Sequence, residues 1–231
     1  MFDDSLVDGH HNKFDDPQDR LGFIRKVYLI LTTQLLFTGF MCIIPMVNEN
    51  AQNWMMKNYW LLIVCCIGSI VLNCVLICIR SVARSVPINY ILLFAFTFCQ
   101  GYMVASICAM TSPQIVLAAA FMTAAITISL TIYAWTTKTD FTVLGGMFFI
   151  LGAALFMLGI FCLFVKYNAL HMVYCSIAVV LFGLYLVFDT QLIVGGKRHK
   201  LDIDEYIVGA LILYADIIMI FVYLIRILGD R

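Results

Sequence analysis

Uncharged, apolar runs alternate along this chain with short charged segments, at a spacing that matches the thickness of a bilayer. About 20 apolar residues cross about 30 Å of hydrocarbon as a helix. One such run lies between Lys26 and Glu49. A second lies between Lys57 and Arg80, and Trp60 near its start is the kind of aromatic found at membrane interfaces. From Arg84 to Lys138 no charge occurs for 53 residues, too long for one crossing, and the polar breaker Thr111-Ser112-Pro113-Gln114 divides the stretch into two helices. Runs from Asp140 to Lys166, from Lys166 to Asp189 and from about Ile207 to Leu228 complete seven spans. A barrel reading fails, because lipid-facing strands alternate apolar and polar positions whereas these runs are apolar on every face. The expected fold is therefore an all-α integral membrane protein, a seven-transmembrane-helix bundle over residues 23–231. Residues 1–22, with six Asp, Pro17 and His10-His11, read as a flexible acidic tail with no removable signal.

Composition agrees with the pattern. Of 231 residues 63% are hydrophobic and 12% charged, against about 25% charged in a soluble domain, and mean hydropathy is +0.99. A soluble chain of this size has nowhere to bury so much apolar surface. The formal net charge of zero lacks the basic excess that marks nucleic-acid partners. The partner this composition demands is the lipid bilayer.

Charge also sets an orientation. Ten of the 14 Lys and Arg (Lys13, Arg20, Arg25, Lys26, Arg80, Arg84, Lys138, Lys197, Arg198 and Lys200) fall on one side of the seven spans, and four (Lys57, Lys166, Arg226 and Arg231) on the other. The positive-inside rule puts the N-terminus in the cytoplasm and the C-terminus outside or in an organelle lumen. All nine cysteines lie in apolar spans without a histidine at ligand spacing, which predicts packing roles over disulfides or a metal. Gly101, Ala105 and Ala109, and Ala120 with Ala124, are small residues spaced for close helix approach. His10, His11, His171 and His199 read as solvated. Lys197-Arg198-His199-Lys200 reads as a loop that sets topology ahead of a specific lipid site.

Two carboxylates remain inside apolar spans: Asp189 in Phe188-Asp189-Thr190-Gln191 and Asp216 in Tyr214-Ala215-Asp216-Ile217. An acid at mid-membrane costs roughly 2.5–3.5 kcal/mol on insertion scales, so such residues face a bundle interior and mark function. If the sixth span ends near Gly195-Gly196 and the seventh starts near Glu205, the two acids lie about 10 Å and about 16 Å from the same membrane face and can meet. A carboxyl pair at that depth shares a proton and titrates as a unit, which makes it a proton sensor. When ionised it offers the hard oxygens that Ca²⁺ prefers. Arg80 and Arg84, after the second span, are either headgroup anchors or clamps that reach a carboxylate.

The segments Phe188-Asp189-Thr190-Gln191-Leu192-Ile193-Val194-Gly195-Gly196, Asp204-Glu205-Tyr206-Ile207 and Leu213-Tyr214-Ala215-Asp216-Ile217-Ile218 resemble the Lifeguard branch of the transmembrane Bax-inhibitor-motif family. So do Phe23-Ile24-Arg25-Lys26-Val27-Tyr28 at the entry to the first helix and Pro87-Ile88-Asn89-Tyr90 at the entry to the third. The resemblance implies a bundle in which the seventh helix is surrounded by the other six, and a pH-dependent calcium leak through an endoplasmic reticulum, Golgi or plasma membrane. It makes Asp189 and Asp216 the pH sensor and a transient calcium site, with Arg80, or failing that Arg84, as the latch on the pair. Calcium is then the transported ion, protons regulate it, no cofactor is needed, and suppression of cell death follows, with cell-death regulators as further partners.

Two other classes compete. A membrane interaction protein that regulates cell death without transport fits the same spans. An intramembrane aspartyl protease also places one Asp in each of two neighbouring helices, but such enzymes carry Gly-x-Gly-Asp and a later Pro-Ala-Leu. Here Leu213-Tyr214-Ala215-Asp216 stands in the first place and no proline follows Pro113. No enzyme activity is expected. The seventh span has no lysine for a retinal Schiff base.

Overall fold

The computed structural model describes residues 17–165 and 167–229, and every regular element among them is helical. In chain order these are α1 (Pro17–Val47), α2 (Glu49–Lys57), α3 (Tyr59–Cys78), α4 (Arg80–Arg84), α5 (Ile88–Ala109), α6 (Pro113–Thr136), α7 (Gly145–Phe164), α8 (Asn168–Val194) and α9 (Tyr206–Gly229). Short 3₁₀ turns, Phe141–Leu144 and Ile203–Glu205, lead into α7 and α9. Seven elements are long and apolar enough to cross a membrane: α1, α3, α5, α6, α7, α8 and α9, with α7 and α9 each taken together with its preceding turn. The tail expected over residues 1–22 lies outside the described residues up to position 16. From Pro17 onward the chain is already helical, with proline at the first turn, where its missing N–H has no intrahelical partner to lose, and Asp19 against the helix dipole.

Local chemistry sets the other boundaries. Pro113 opens α6 as its first helical residue. Asn48 starts α2 by accepting hydrogen bonds from the backbone of Asn50 and Ala51. At the end of α8 the chain continues past Asp189 to Val194 and stops at Gly195 and Gly196, whose φ angles of 76° and 75° lie in the left-handed region that favours glycine. Before α9, Asp202 and Glu205 form a reciprocal capping box.

The bundle is organised around α9. Of its apolar span 67% is buried, against 17% for α3, α6 and α7. It packs on α8, α1, α6 and α5, and more lightly on α3. The expectation that all six other spans enclose it is corrected in one respect: α7 flanks α8, and reaches α9 chiefly through the cluster of Phe148, Leu155, Leu181 and Tyr223. The outer surface carries large apolar side chains, such as Leu36, Phe121 and Phe149 at 70–77% exposure, which only lipid would cover.

Small residues do bring α1 and α5 together: Gly101, Ala105 and Ala109 are buried, and a side chain at Gly101 would meet Met41 and Thr38. On α6 the register differs from expectation. Ala120 and Ala124 face outward, and the buried stripe is Val116, Ala119 and Thr123. An apolar helix has no polar face to fix its rotation, so the stripe that packs is set by shape. None of the nine cysteines, all within helices, is in a disulfide; five are buried, and Cys74 and Cys78 lie on the outer face. His171 is half-buried, its ring against the Val165 carbonyl, and differs in this from the solvated side chain expected.

Candidate functional site

The helices α8 and α9 position the two acids. Asp189 lies five residues before α8 ends at Val194, and Asp216 lies ten residues into α9. Rises of about 7.5 Å and about 15 Å from the same end of the bundle bring them into the same layer once the helices cross. Their carboxyl groups lie close enough to each other to interact. Asp216 is 5% exposed and Asp189 partly exposed, and Oδ2 of Asp216 has no hydrogen-bond partner. Two carboxyl groups that close within apolar helices cannot both ionise easily, so the arrangement disfavours a second negative charge.

The surroundings hold this layer rigidly. Tyr185, one turn before Asp189, sends its hydroxyl to the Phe148 carbonyl of α7 at 2.6 Å, over Gly152, where any Cβ would collide with the Tyr185 hydroxyl. Tyr214, two residues before Asp216, is fully buried. Its hydroxyl shares a 2.7 Å hydrogen bond with Thr38 of α1 and its ring packs edge-on against Phe96 of α5. In this way the residues flanking the acid pair tie α8 to α7 and α9 to α1 and α5.

Above the pair, toward the end that carries most of the Lys and Arg, lies a collar of polar contacts. Arg20 donates through Nε, Nη1 and Nη2 to the carbonyls of Val194, Leu201 and Leu192, at 3.3, 2.6 and 2.7 Å. It thereby satisfies carbonyls that the end of α8 leaves without intrahelical partners. Gln191, 1% exposed, accepts from the Phe141 amide at 2.8 Å and donates to the Thr139 carbonyl at 3.0 Å. Lys197 donates to the carbonyls of Thr137 and Lys138. These contacts fasten the α6–α7 loop to the end of α8. Substituting Gln191→Leu removes the partner of the half-buried Phe141 N–H and of the Thr139 carbonyl at the exposed loop, at a cost of about 1 kcal/mol per hydrogen bond lost. We expect faster amide exchange at Phe141 and a lower melting temperature in that variant.

Asp140 completes the collar, accepting from the Thr142 hydroxyl at 2.6 Å, the Thr142 amide at 2.9 Å and the Arg198 amide at 3.1 Å. The Thr142 hydroxyl foremost, then the two amides and Lys197, holds its carboxyl below the ordinary value of 3.8. A depressed folded value means that the clamp is complete above 3.8 and is lost as pH falls through the folded value. The Arg198 amide is therefore expected to lose protection from exchange in that acid window, after correction for intrinsic rates. In Asp140→Asn that acid-side loss disappears.

Both arginines proposed as latches have other partners here. Arg84 pairs with Asp202 at 2.8 Å and Glu205 at 3.0 Å, and Arg80 approaches Glu205 at 3.7 Å. Among the described residues their ion pairs go to the capping box of α9, and none goes to Asp189 or Asp216. The reason is position: α4 turns away after Cys78 and lies beside the start of α9, above the acid pair. Among the described residues no three His, Cys, Asp or Glu side chains cluster as metal ligands. Two carboxylates supply at most four oxygens where Ca²⁺ takes six to eight.

The sequence model described as "Inhibitor of apoptosis-promoting Bax1" matches residues 20–231. Protein lifeguard 3 of Homo sapiens is 37% identical over 223 residues, covering 95% of this chain and 72% of the relative. Protein lifeguard 3 of Mus musculus is 35% identical with the same coverage, and protein lifeguard 4 of Mus musculus 32% identical, over 90% of this chain and 85% of its own. The chain belongs to the Lifeguard branch of the Bax-inhibitor family.

As a Lifeguard protein it is a multi-pass membrane protein, and its family motifs fall on the layer just described. Sequence reasoning singled out the two acids and passed over Arg20, Tyr185, Gln191, Glu205 and Tyr214. A signal for three of these existed: Gln191 is a large polar residue in an apolar run, and Tyr185 and Tyr214 each stand four or two residues from an acid. Arg20 carried none, since an arginine beside a membrane face normally reads as a headgroup anchor.

Proposed function

We propose that this Lifeguard protein is a calcium leak channel of an endoplasmic reticulum, Golgi or plasma membrane, with its N-terminus in the cytoplasm and its gate in the proton shared by Asp189 and Asp216. The observation that carries the reading is the approach of two carboxyl groups, one on α8 and one on α9, inside segments apolar enough to span lipid. Losing the proton leaves two like charges in contact, and repulsion then favours a conformation in which the helices separate. The freed oxygens are ligands of the kind that dehydrates Ca²⁺ partially in transit. The excess of Lys and Arg at the collar end supports the orientation. Suppression of cell death follows as a cellular consequence of a lowered organelle calcium load, and is in keeping with the name of the matching family.

Purified protein in liposomes, with a calcium dye inside, tests transport itself. Calcium entry above that of empty liposomes, changing with external pH, is the expected result. Entry equal to that of empty liposomes at every pH favours the alternative, a membrane interaction protein that regulates cell death without transport.

A further inference from the structure

A crevice of about 270 Å³ lies between α1 and α5, in the half of α5 nearer the collar end. Ile30, Phe37, Leu93 and Phe94 give it an apolar wall, and Gln34 and Thr97 add polar atoms. Phe94 and Thr33 at its edge stand on the outer surface, so the crevice opens toward lipid. We propose that it binds a small apolar molecule with a single hydroxyl, of alkylphenol size, which donates a hydrogen bond to Gln34.

The residues of α5 that face α1 shape the space. Gly101, Ala105 and Ala109 are small and buried, and a side chain at Gly101 would meet Met41 and Thr38, so the two helices lie close together over that stretch. From Thr97 back to Leu93 the facing residues are larger. Phe37 and Phe94 pack ring against ring there, with centroids 5.2 Å apart, and the crevice is the space beside them. Its volume falls below the roughly 300–1,000 Å³ of pockets that take drug-sized ligands. One ring with a short chain suits it.

The polar end of the occupant follows from Gln34. This residue is 5% exposed, its Nε2 donates to the Thr97 hydroxyl at 2.8 Å, and its Oε1 has no hydrogen-bond partner. An amide oxygen accepts and never donates, so only a donor answers it. Both threonine hydroxyls of the crevice are committed: Thr97 donates to the Leu93 carbonyl at 2.8 Å, and Thr33 to the Leu29 carbonyl at 2.9 Å. A lipid acyl chain lying against the apolar wall brings no donor either. A hydroxyl does, and in apolar surroundings its bond to an unmet acceptor is worth more than the same bond in water. The Gln34 oxygen therefore selects a hydroxylated occupant over the hydrocarbon around it.

The test uses the full chain in lipid nanodiscs, photolabelled with a diazirine derivative of 4-butylphenol and read by mass spectrometry of its peptides. Label is expected on the segments of α1 and α5 that line the crevice. At equal membrane concentration 4-butylphenol should displace it about tenfold better than 4-butylanisole, whose methyl ether keeps the ring and chain but has no proton to donate. Gln34→Leu, compared at equal monodisperse amounts, is expected to make the two competitors equal by weakening the phenol alone. Should that variant lose its fold, Gln34→Met, which keeps the length of the side chain, takes its place with the same expectation. Equal competition by phenol and ether in the wild-type protein overturns the proposal. A phenol advantage that the Gln34 variant leaves unchanged overturns it as well, and so does label that falls outside α1 and α5.

Discussion

Replacing Asp216 with Asn is expected to abolish the pH response of calcium flux. The amide has nearly the shape of a carboxylic acid and hydrogen-bonds to Asp189 at every pH, but it has no proton to give up. In the native chain a single shared proton changes the ratio of closed to open protein by at most about tenfold per pH unit. The flux of wild-type protein should follow that slope across its transition and then level off, while Asp216→Asn gives a flat line. Asp189→Asn is expected to flatten the profile as well, because the transition belongs to the pair and to neither residue alone. Both variants are to be compared at equal reconstituted amounts, with a monodisperse elution profile as the check on folding. A profile in Asp216→Asn that keeps the wild-type slope and midpoint would remove the pair from the gate.

The second large effect is on stability. Tyr214→Ala empties the centre of the bundle, where a fully buried ring meets Phe96 and its hydroxyl meets Thr38. Truncating a buried aromatic to alanine costs about 3–5 kcal/mol, through lost contacts and the cavity left behind. Tyr214→Phe removes only the interhelical hydrogen bond, and such bonds within membranes average about 0.6 kcal/mol. Unfolding by sodium dodecyl sulfate, followed by tryptophan fluorescence, should place the alanine variant far below wild type and the phenylalanine variant close to it. Near-equal losses would mean that the hydroxyl, and not the packed ring, anchors α9.

This division between packing and polar placement explains what was legible beforehand. The spans were readable because each is an uncharged run bounded by charges, and bilayer thickness leaves one way to fold such a run. The depth of the acids was readable for a related reason: Gly195-Gly196 and Glu205 mark helix ends, and a fixed rise per residue then places Asp189 and Asp216 in one layer. The partners of Arg80 and Arg84 were not readable. They depend on the course of the chain through the short helix Arg80–Arg84, which lies beside Asp202 and Glu205, and no periodicity encodes that course. The outward rotation of Ala120 and Ala124 was hidden for a similar reason, since every face of α6 is apolar. The capping of α8 by Arg20, 172 to 181 residues away in sequence from the carbonyls it serves, follows only from tertiary packing.

Infrared difference spectroscopy of the protonated carboxyl stretch tests the shared proton most directly. Wild-type protein taken through the flux transition is predicted to lose one buried carboxylic-acid band, and that band is predicted to be missing or displaced in both Asp189→Asn and Asp216→Asn. A band that persists in Asp216→Asn with its wild-type frequency and midpoint, or a transition that leaves the carboxyl region unchanged, would contradict the account.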